Sequence, residues 1–291
     1  KDKRKPFAAG GALAGMLLGA ALAALPGLVR PRVGDPSELA LLGEGVAVAP
    51  ALPEVRPEDA RSRRLASHQV SMLRTVLDQS RDAETSGPVV VTVVSADRGE
   101  GKTNLSLALG RAFASAGRRT LLVDADLAHA GLSRALSLQE QPGLREHLGE
   151  GSTGTLAGSC LNVGSRLSVL TAGRTSTPEA PTEALSRAGL HKLVASVGGD
   201  LDVVVIDTPS LSAAPDVLAA AALADHVVLV VREGQRLSRA RAVAERVSRL
   251  CGGRCHAVLN RASRVGEALL PDEVQAWGPI ARPVVPAVPV A

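Results

Sequence analysis

The stretch Ser95-Ala-Asp-Arg-Gly-Glu-Gly-Lys-Thr-Asn104 constrains this chain more than any other. An apolar β-type run, Val89-Val-Val-Thr-Val-Val94, precedes it, and an Ala/Leu-rich helical run from Leu105 to Ala116 follows. Strand, glycine-rich turn and helix in that order is the context of a phosphate-binding loop. In such a loop the backbone N–H groups of Gly99, Glu100, Gly101, Lys102, Thr103 and Asn104 converge on phosphate oxygens at a helix N-terminus. Glycine at 99 and 101 lets the backbone turn tightly with no Cβ in the way. Lys102 is placed to reach the β- and γ-phosphates, and the Thr103 hydroxyl to ligate Mg²⁺. The usual G-x-x-x-x-G-K-S/T pattern is imperfect, because Ala96 stands where the first glycine belongs. Lysine scarcity speaks against a chance match: beyond residue 5 the only lysines are Lys102 and Lys192. A nucleotide with Mg²⁺ is therefore the expected ligand.

The chain has 291 residues, 45% of them hydrophobic, enough for one α/β domain of about 200 residues with extensions. A formal charge of +4 is mild and concentrated near the start, so it gives no reason to expect nucleic acid as a partner. Cys160, Cys251 and Cys255 make no disulfide framework, and an odd count suits a reducing cytosol.

Phe7 to Val29 is a run of 23 residues without a charge. As a helix it would extend about 34 Å, enough for a bilayer core of roughly 30 Å. Gly11, Gly15 and Gly19 would form one small-residue stripe along it. A signal peptide competes, but it would put the phosphate loop outside the cell, away from ATP. The expectation is a transmembrane helix with basic flanks over 1–32, with later residues in the cytoplasm. The heavier positive charge on the N-side argues for the reverse orientation, and ATP dependence outranks it. Residues 33–61 carry Pro36, Pro50, Pro53 and Pro57 without sustained periodicity and read as a linker. From Ser62, the spacing of Leu65, Val70, Leu73 and Leu77 predicts an amphipathic helix. A domain over 62–265 and a Pro/Val-rich tail over 266–291 complete the division.

Within that domain apolar strands alternate with helical patterns. Strands are expected at Thr120–Asp124, Leu167–Leu170, Leu201–Asp207, His226–Val231 and Ala257–Asn260, and helices near Glu183–Val197 and Ser238–Leu250. Continuous Val/Ile/Leu strands between helices predict an α/β, doubly wound, mostly parallel sheet covered on both faces. Ligands of such sheets sit at the carboxyl ends of strands. Asp124, Asp126 and Asp207 fall there. A carboxylate in that place can hold Mg²⁺ or accept a hydroxyl proton, although helix N-capping is its commoner role.

Three stretches together resemble the bacterial tyrosine kinases of capsule and exopolysaccharide systems, relatives of the partition and cell-division ATPases in the P-loop NTPase class. They are Ser95 to Asn104, Leu121-Leu-Val-Asp-Ala-Asp126 and Val203-Val-Val-Ile-Asp-Thr-Pro209. Gly143-Leu144, Leu167 to Gly173 and Asp216 to Val231 agree as well, so the resemblance covers about residues 6 to 262. It implies catalytic roles for Lys102, Asp124, Asp126 and Asp207. Metal ligation falls to Thr103, Asp124 and Asp207, and adenine reading to Asn260. It also implies placement at the inner (cytoplasmic) membrane, polysaccharide synthesis and export proteins as partners, and a homo-oligomer. Asp97 stands where partition and division ATPases carry a second lysine, which favours the kinase branch.

The chain departs from that pattern at several places. It contains no tyrosine, so it cannot phosphorylate its own tyrosines. Ala128 replaces an arginine of the second motif, and the ring-assembly motif E-x-x-R-x-x-R reads His68, Ser71 and Arg74. Three functions compete: a membrane-anchored phosphotransferase acting on a partner, an ATP-binding switch of polysaccharide polymerisation, and a partition-type ATPase. The first is favoured.

Overall fold

The computed structural model describes residues 31–79, 87–148, 159–174, 201–215 and 217–265, with isolated positions between 15 and 20 and residue 193. The helix expected over Glu183–Val197, the tail over 266–291 and nearly all of the apolar run Phe7–Val29 lie outside the described residues. Among the described residues no helix is long and apolar enough to cross a membrane.

Among the described residues, one nine-stranded sheet organises the fold. Its strands are β1 (Val46–Val48), β2 (Leu52–Pro53), β3 (Val89–Ser95), β4 (Thr120–Asp124), β5 (Cys160–Gly164), β6 (Leu167–Leu170), β7 (Val203–Asp207), β8 (His226–Arg232) and β9 (Cys255–Ala262). The order is β1-β9-β8-β3-β7-β4-β6-β5, with β2 also on β9. Every pairing is parallel except β5 with β6. The helices are α1 (Ala60–Gln79), α2 (Lys102–Ser115), α3 (Gly131–Ala135), α4 (Leu144–Leu148), α5 (Val217–Leu223) and α6 (Leu237–Leu250).

Both faces of the sheet are covered, which is why its central strands are apolar at every second position on either side. On one face Val89, Val91 and Val93 of β3 join Leu105, Leu109 and Phe113 of α2 and Leu73 and Leu77 of α1. On the other, Val90 and Val94 join Val217 of α5 and Val243 and Val247 of α6. β3 lies between β7 and β8: the chain leaves it through α2 toward β4, and α5 carries it back across to β8. The crevice at the carboxyl end of β3 is thus a topological switch point, where doubly wound sheets take their ligands.

Residues 33–61 differ from the expected linker. Pro36–Leu42 is a 3-10 helix capped by Asp35 and Glu38, and Val33, Leu39 and Leu42 are fully buried in the second face of the core. β1 and β2 then extend the sheet on β9. The prolines conceal this because they break periodicity, yet Pro36 sits at the first turn, where its missing N–H costs nothing.

Candidate active site

Two glycines shape the loop between β3 and α2. Gly99 has φ +78° and Gly101 φ +100°, in the left-handed region. A Cβ on Gly101 would also collide with Nδ2 of Asn260. α2 begins with no side-chain cap, leaving its first N–H groups open to an outside acceptor.

Lys102 is buried beneath this turn, its Nζ 2.8 Å from Ser95 Oγ, and Ser95 Oγ donates to the Asp97 carbonyl at 2.8 Å. Burial pushes the ammonium below the ordinary lysine range, and the carboxylates of Asp207, Glu100 and Asp126 offset part of that fall. Glu100 is also buried and accepts the Asp97 N–H at 3.2 Å. Burial, with the nearby Asp97 charge, pushes its carboxyl up to about 7.

β4 and β7 are adjacent, and their register sets Asp124 opposite Asp207. Both are fully buried. Asp207 accepts from Thr103 Oγ1 at 2.7 Å and Ser106 Oγ at 3.0 Å, so one helix turn of α2 offers it two hydroxyls. Burial and the Asp124 charge push Asp207 up to about 7; burial pushes Asp124 up to about 6.

Asp126 lies in the turn after β4, where it accepts from the His129 N–H at 3.1 Å and lies 3.1 Å from His129 Nδ1. A circuit of hydrogen bonds joins it to Asp124. Asp124 Oδ2 accepts from Ser133 N (2.8 Å) and Oγ (2.7 Å), and Ser133 Oγ accepts from Ala172 N (3.0 Å). The Ala172 carbonyl accepts from Arg145 N at 3.0 Å, and Arg145 Nη2 reaches the carbonyl of Leu127, next to Asp126. Asp126 N closes the ring on Asp124 Oδ1 at 3.3 Å.

Of the residues singled out in the sequence, Lys102, Thr103, Asp124, Asp126 and Asp207 are brought to this one crevice. Asn260 meets the loop from β9, donating from Nδ2 to the Glu100 carbonyl at 2.8 Å. It also lines a second cavity of about 270 Å³ with Gly101, Asn104, Arg261, Leu52 and Leu105. That mixture of an apolar wall and a few amide groups suits a base and sugar. Sequence reasoning missed Ser95, Ser106, His129, Ser133 and Arg145. Ser106 was within reach of it, because it lies three residues from Thr103 on one helix face; Arg145 was not, because only the fold sets it against Leu127.

No group of three or more His, Cys, Asp or Glu among the described residues has metal-holding geometry. Hard oxygens are nevertheless present in Thr103, Asp207 and Asp124, and Mg²⁺ commonly takes only one or two protein ligands beside phosphates and water. Asp124, Asp126 and Asp207 together outnumber the one ammonium, Lys102, that offsets them, and a dication would supply the remaining charge. The residues therefore fit the nucleotide and its metal.

The fold and this crevice define a P-loop nucleotide-binding domain of the doubly wound α/β class. The chain belongs to the family described as the CobQ/CobB/MinD/ParA nucleotide binding domain, whose model matches residues 91–270. Its relatives include bacterial tyrosine-protein kinases. It is 31% identical over 187 residues to tyrosine-protein kinase YwqD of Bacillus subtilis (strain 168), covering 64% of this chain and 77% of that one. It is 33% identical over 151 residues to the succinoglycan biosynthesis transport protein ExoP of Rhizobium meliloti (strain 1021), covering 52% of this chain. The match spans only 19% of ExoP's length. Among solved structures, the kinase domain of VpsO is 28% identical with a TM-score of 0.57, covering 71% of this chain and 99% of that one.

Proposed function

We propose that the chain is a membrane-anchored, ATP-dependent, kinase-like phosphotransferase of exopolysaccharide or capsule synthesis and export, acting on a tyrosine of a partner protein. The observation that carries this is the gathering of Lys102, Thr103, Asp124, Asp126 and Asp207 in one buried crevice around the glycine turn. The acceptor hydroxyl lies outside these 291 residues, because they contain no tyrosine. The membrane assignment is supported by the uncharged run Phe7–Val29.

Mg²⁺-ATP, when bound, supplies the phosphoryl group. Lys102 neutralises phosphate charge, released from a site where its own charge is poorly solvated. Thr103, Asp124 and Asp207 would offer the metal their oxygens. Asp126, the most accessible of the three strand-end acids, takes the proton of the acceptor hydroxyl. Asn260 holds the loop in register through the Glu100 carbonyl.

A second reading, an ATP-binding switch of polymerisation that transfers nothing, is favoured by Ala128 and by the contact of His129 with Asp126. Labelled ATP given to the full chain with its polysaccharide machinery separates the two. Label on a partner tyrosine, lost in Lys102→Met, supports transfer. ATP turnover without protein labelling supports the switch.

A further inference from the structure

The phosphate loop has a cavity on each side. Its second half, Gly101 and Asn104, borders the cavity assigned above to the nucleoside. Its first half, Asp97, Arg98 and Glu100, borders another of about 500 Å³ that the proposed reaction does not use. Five arginines line this one: Arg32, Arg98, Arg232, Arg236 and Arg239. Arg32 Nη1 donates to the Gly234 carbonyl at 2.6 Å, and Arg239 Nη2 pairs with Asp97 Oδ1 at 2.6 Å. The side chains of Arg98, Arg232 and Arg236 have no hydrogen bond or ion pair to another described residue. The acids present are already engaged: Glu233 accepts from Ser263 N (2.6 Å) and Oγ (2.7 Å), and Glu100 accepts the Asp97 N–H.

Two further observations point the same way. α6 opens at this cavity with the wrong charges for a helix start. Its N-cap is Arg236 with no side-chain cap, its first turn has no acid, and Arg239 follows. The positive end of a helix dipole favours anions, and caps are normally Ser, Thr, Asp or Asn. Cations here repel that end unless an anion lies between them. Gln235, on the same wall, has both Oε1 and Nε2 buried without a partner. Buried amides are otherwise nearly always satisfied.

We infer that this cavity is a second anion site, taking a phosphate-bearing ligand on the arginines and the N-terminus of α6. Guanidinium forks match phosphate oxygens bidentately, and the volume admits a group larger than a bare ion. Occupancy is coupled to the loop: a phosphate that draws Arg239 away releases Asp97, whose N–H is held by Glu100. This coupling rests on the nucleotide reading of the loop; the site itself does not. The phosphate comes from an anionic lipid headgroup or from a soluble phosphate, and the test distinguishes them.

The full chain, in discs of neutral phosphatidylcholine, is titrated with inorganic phosphate by calorimetry. Wild type takes up two equivalents; Arg232→Ala/Arg236→Ala loses one and Lys102→Met loses the other. Two equivalents retained in the arginine variant overturn the inference. Two retained in Lys102→Met overturn the loop assignment and leave the cavity standing. In discs containing phosphatidylglycerol, loss of the arginine-dependent uptake assigns the cavity to a lipid headgroup, and unchanged uptake assigns it to soluble phosphate. Arg236→Asp gives an independent readout: it caps α6, so it raises the Tm while abolishing that uptake. A lowered Tm makes Arg236 a structural residue and overturns the inference.

Discussion

Arg145 reaches across from α4 to the main-chain carbonyl of Leu127, the residue after Asp126. Its guanidinium is buried, and Nε has no partner. It supplies, from a distant segment, a cation to the turn in which Ala128 offers none. Arg145→Ala is expected to lower kcat for ATP turnover about 10- to 100-fold, with a smaller change in KM, because one charge-assisted bond is worth roughly 1.5–3 kcal/mol. Arg145→Lys should restore part of it, and Ala128→Arg in the Arg145→Ala background more. Steady-state kinetics with a thermal melt of each variant checks this; equal losses in all three would make Arg145 a packing residue.

The buried acids of the site set a pH dependence. Glu100 and Asp207 are pushed up to about 7 and Asp124 to about 6. A carboxyl raised by folding holds its proton longer in the native state, so the native chain binds more protons than the unfolded one from about pH 4 up to these values. Stability of the ligand-free chain then falls as pH rises through that window, by up to about 1.4 kcal/mol per pH unit per group. Calorimetry should show a higher Tm near pH 5 than near pH 8, with Asp207→Asn flattening the fall. A ligand-free Tm that climbs over this range would refute the buried-acid account.

Mg²⁺-ATP should follow the opposite course. The metal needs ionised carboxylates, so its affinity is expected to tighten as pH rises through about 7. Chelating Mg²⁺ should remove that pH dependence and most of the binding. Titration calorimetry at several pH values with and without EDTA decides it.

Gly101→Ala places a Cβ at φ +100° and against Asn260. A side chain in that backbone region costs about 1–3 kcal/mol. ATP affinity should drop by roughly 5- to 150-fold, while Asn260→Ala in the same chain recovers little, since the backbone strain remains. Nucleotide binding by fluorescence or calorimetry reads this directly.

Phe113 is the largest fully buried side chain among the described residues and lies on α2 about 15 Å of helix beyond Thr103, on the α2 face of the sheet. Phe113→Ala should cost about 3–5 kcal/mol of stability. ATP affinity of the fraction that remains folded should be unchanged. Urea melts paired with binding at low temperature separate the two effects.

The central strands were legible because they are buried on both faces and therefore read as unbroken Val/Ile/Leu runs: Thr120–Asp124 and Leu167–Leu170 fall where the apolar pattern puts them. The carboxylates at their ends were legible for the same reason. The segment from Val33 to Pro53 was not. Its strands are only three and two residues long, and they exist through pairing with β9, over two hundred residues away. One signal was available there: Asp35-Pro-Ser-Glu38 is a capping box with proline at the first turn. Arg145 and Ser133 stayed invisible for a different reason, since their partners are set by the fold and by no local spacing.

Residues 31–33 are laced to the segment before α6: Val33 N donates to the Gln235 carbonyl at 2.8 Å, Gly234 N to the Val33 carbonyl at 2.7 Å, and Leu237 N to the Pro31 carbonyl at 2.9 Å. Tension applied to the chain upstream of Pro31 is therefore carried first by the strip bearing Gln235 and Arg236, and only afterwards by the interior of the sheet. That strip forms part of the cation-lined wall beside the glycine turn, so a pull on the leading end reaches that wall directly.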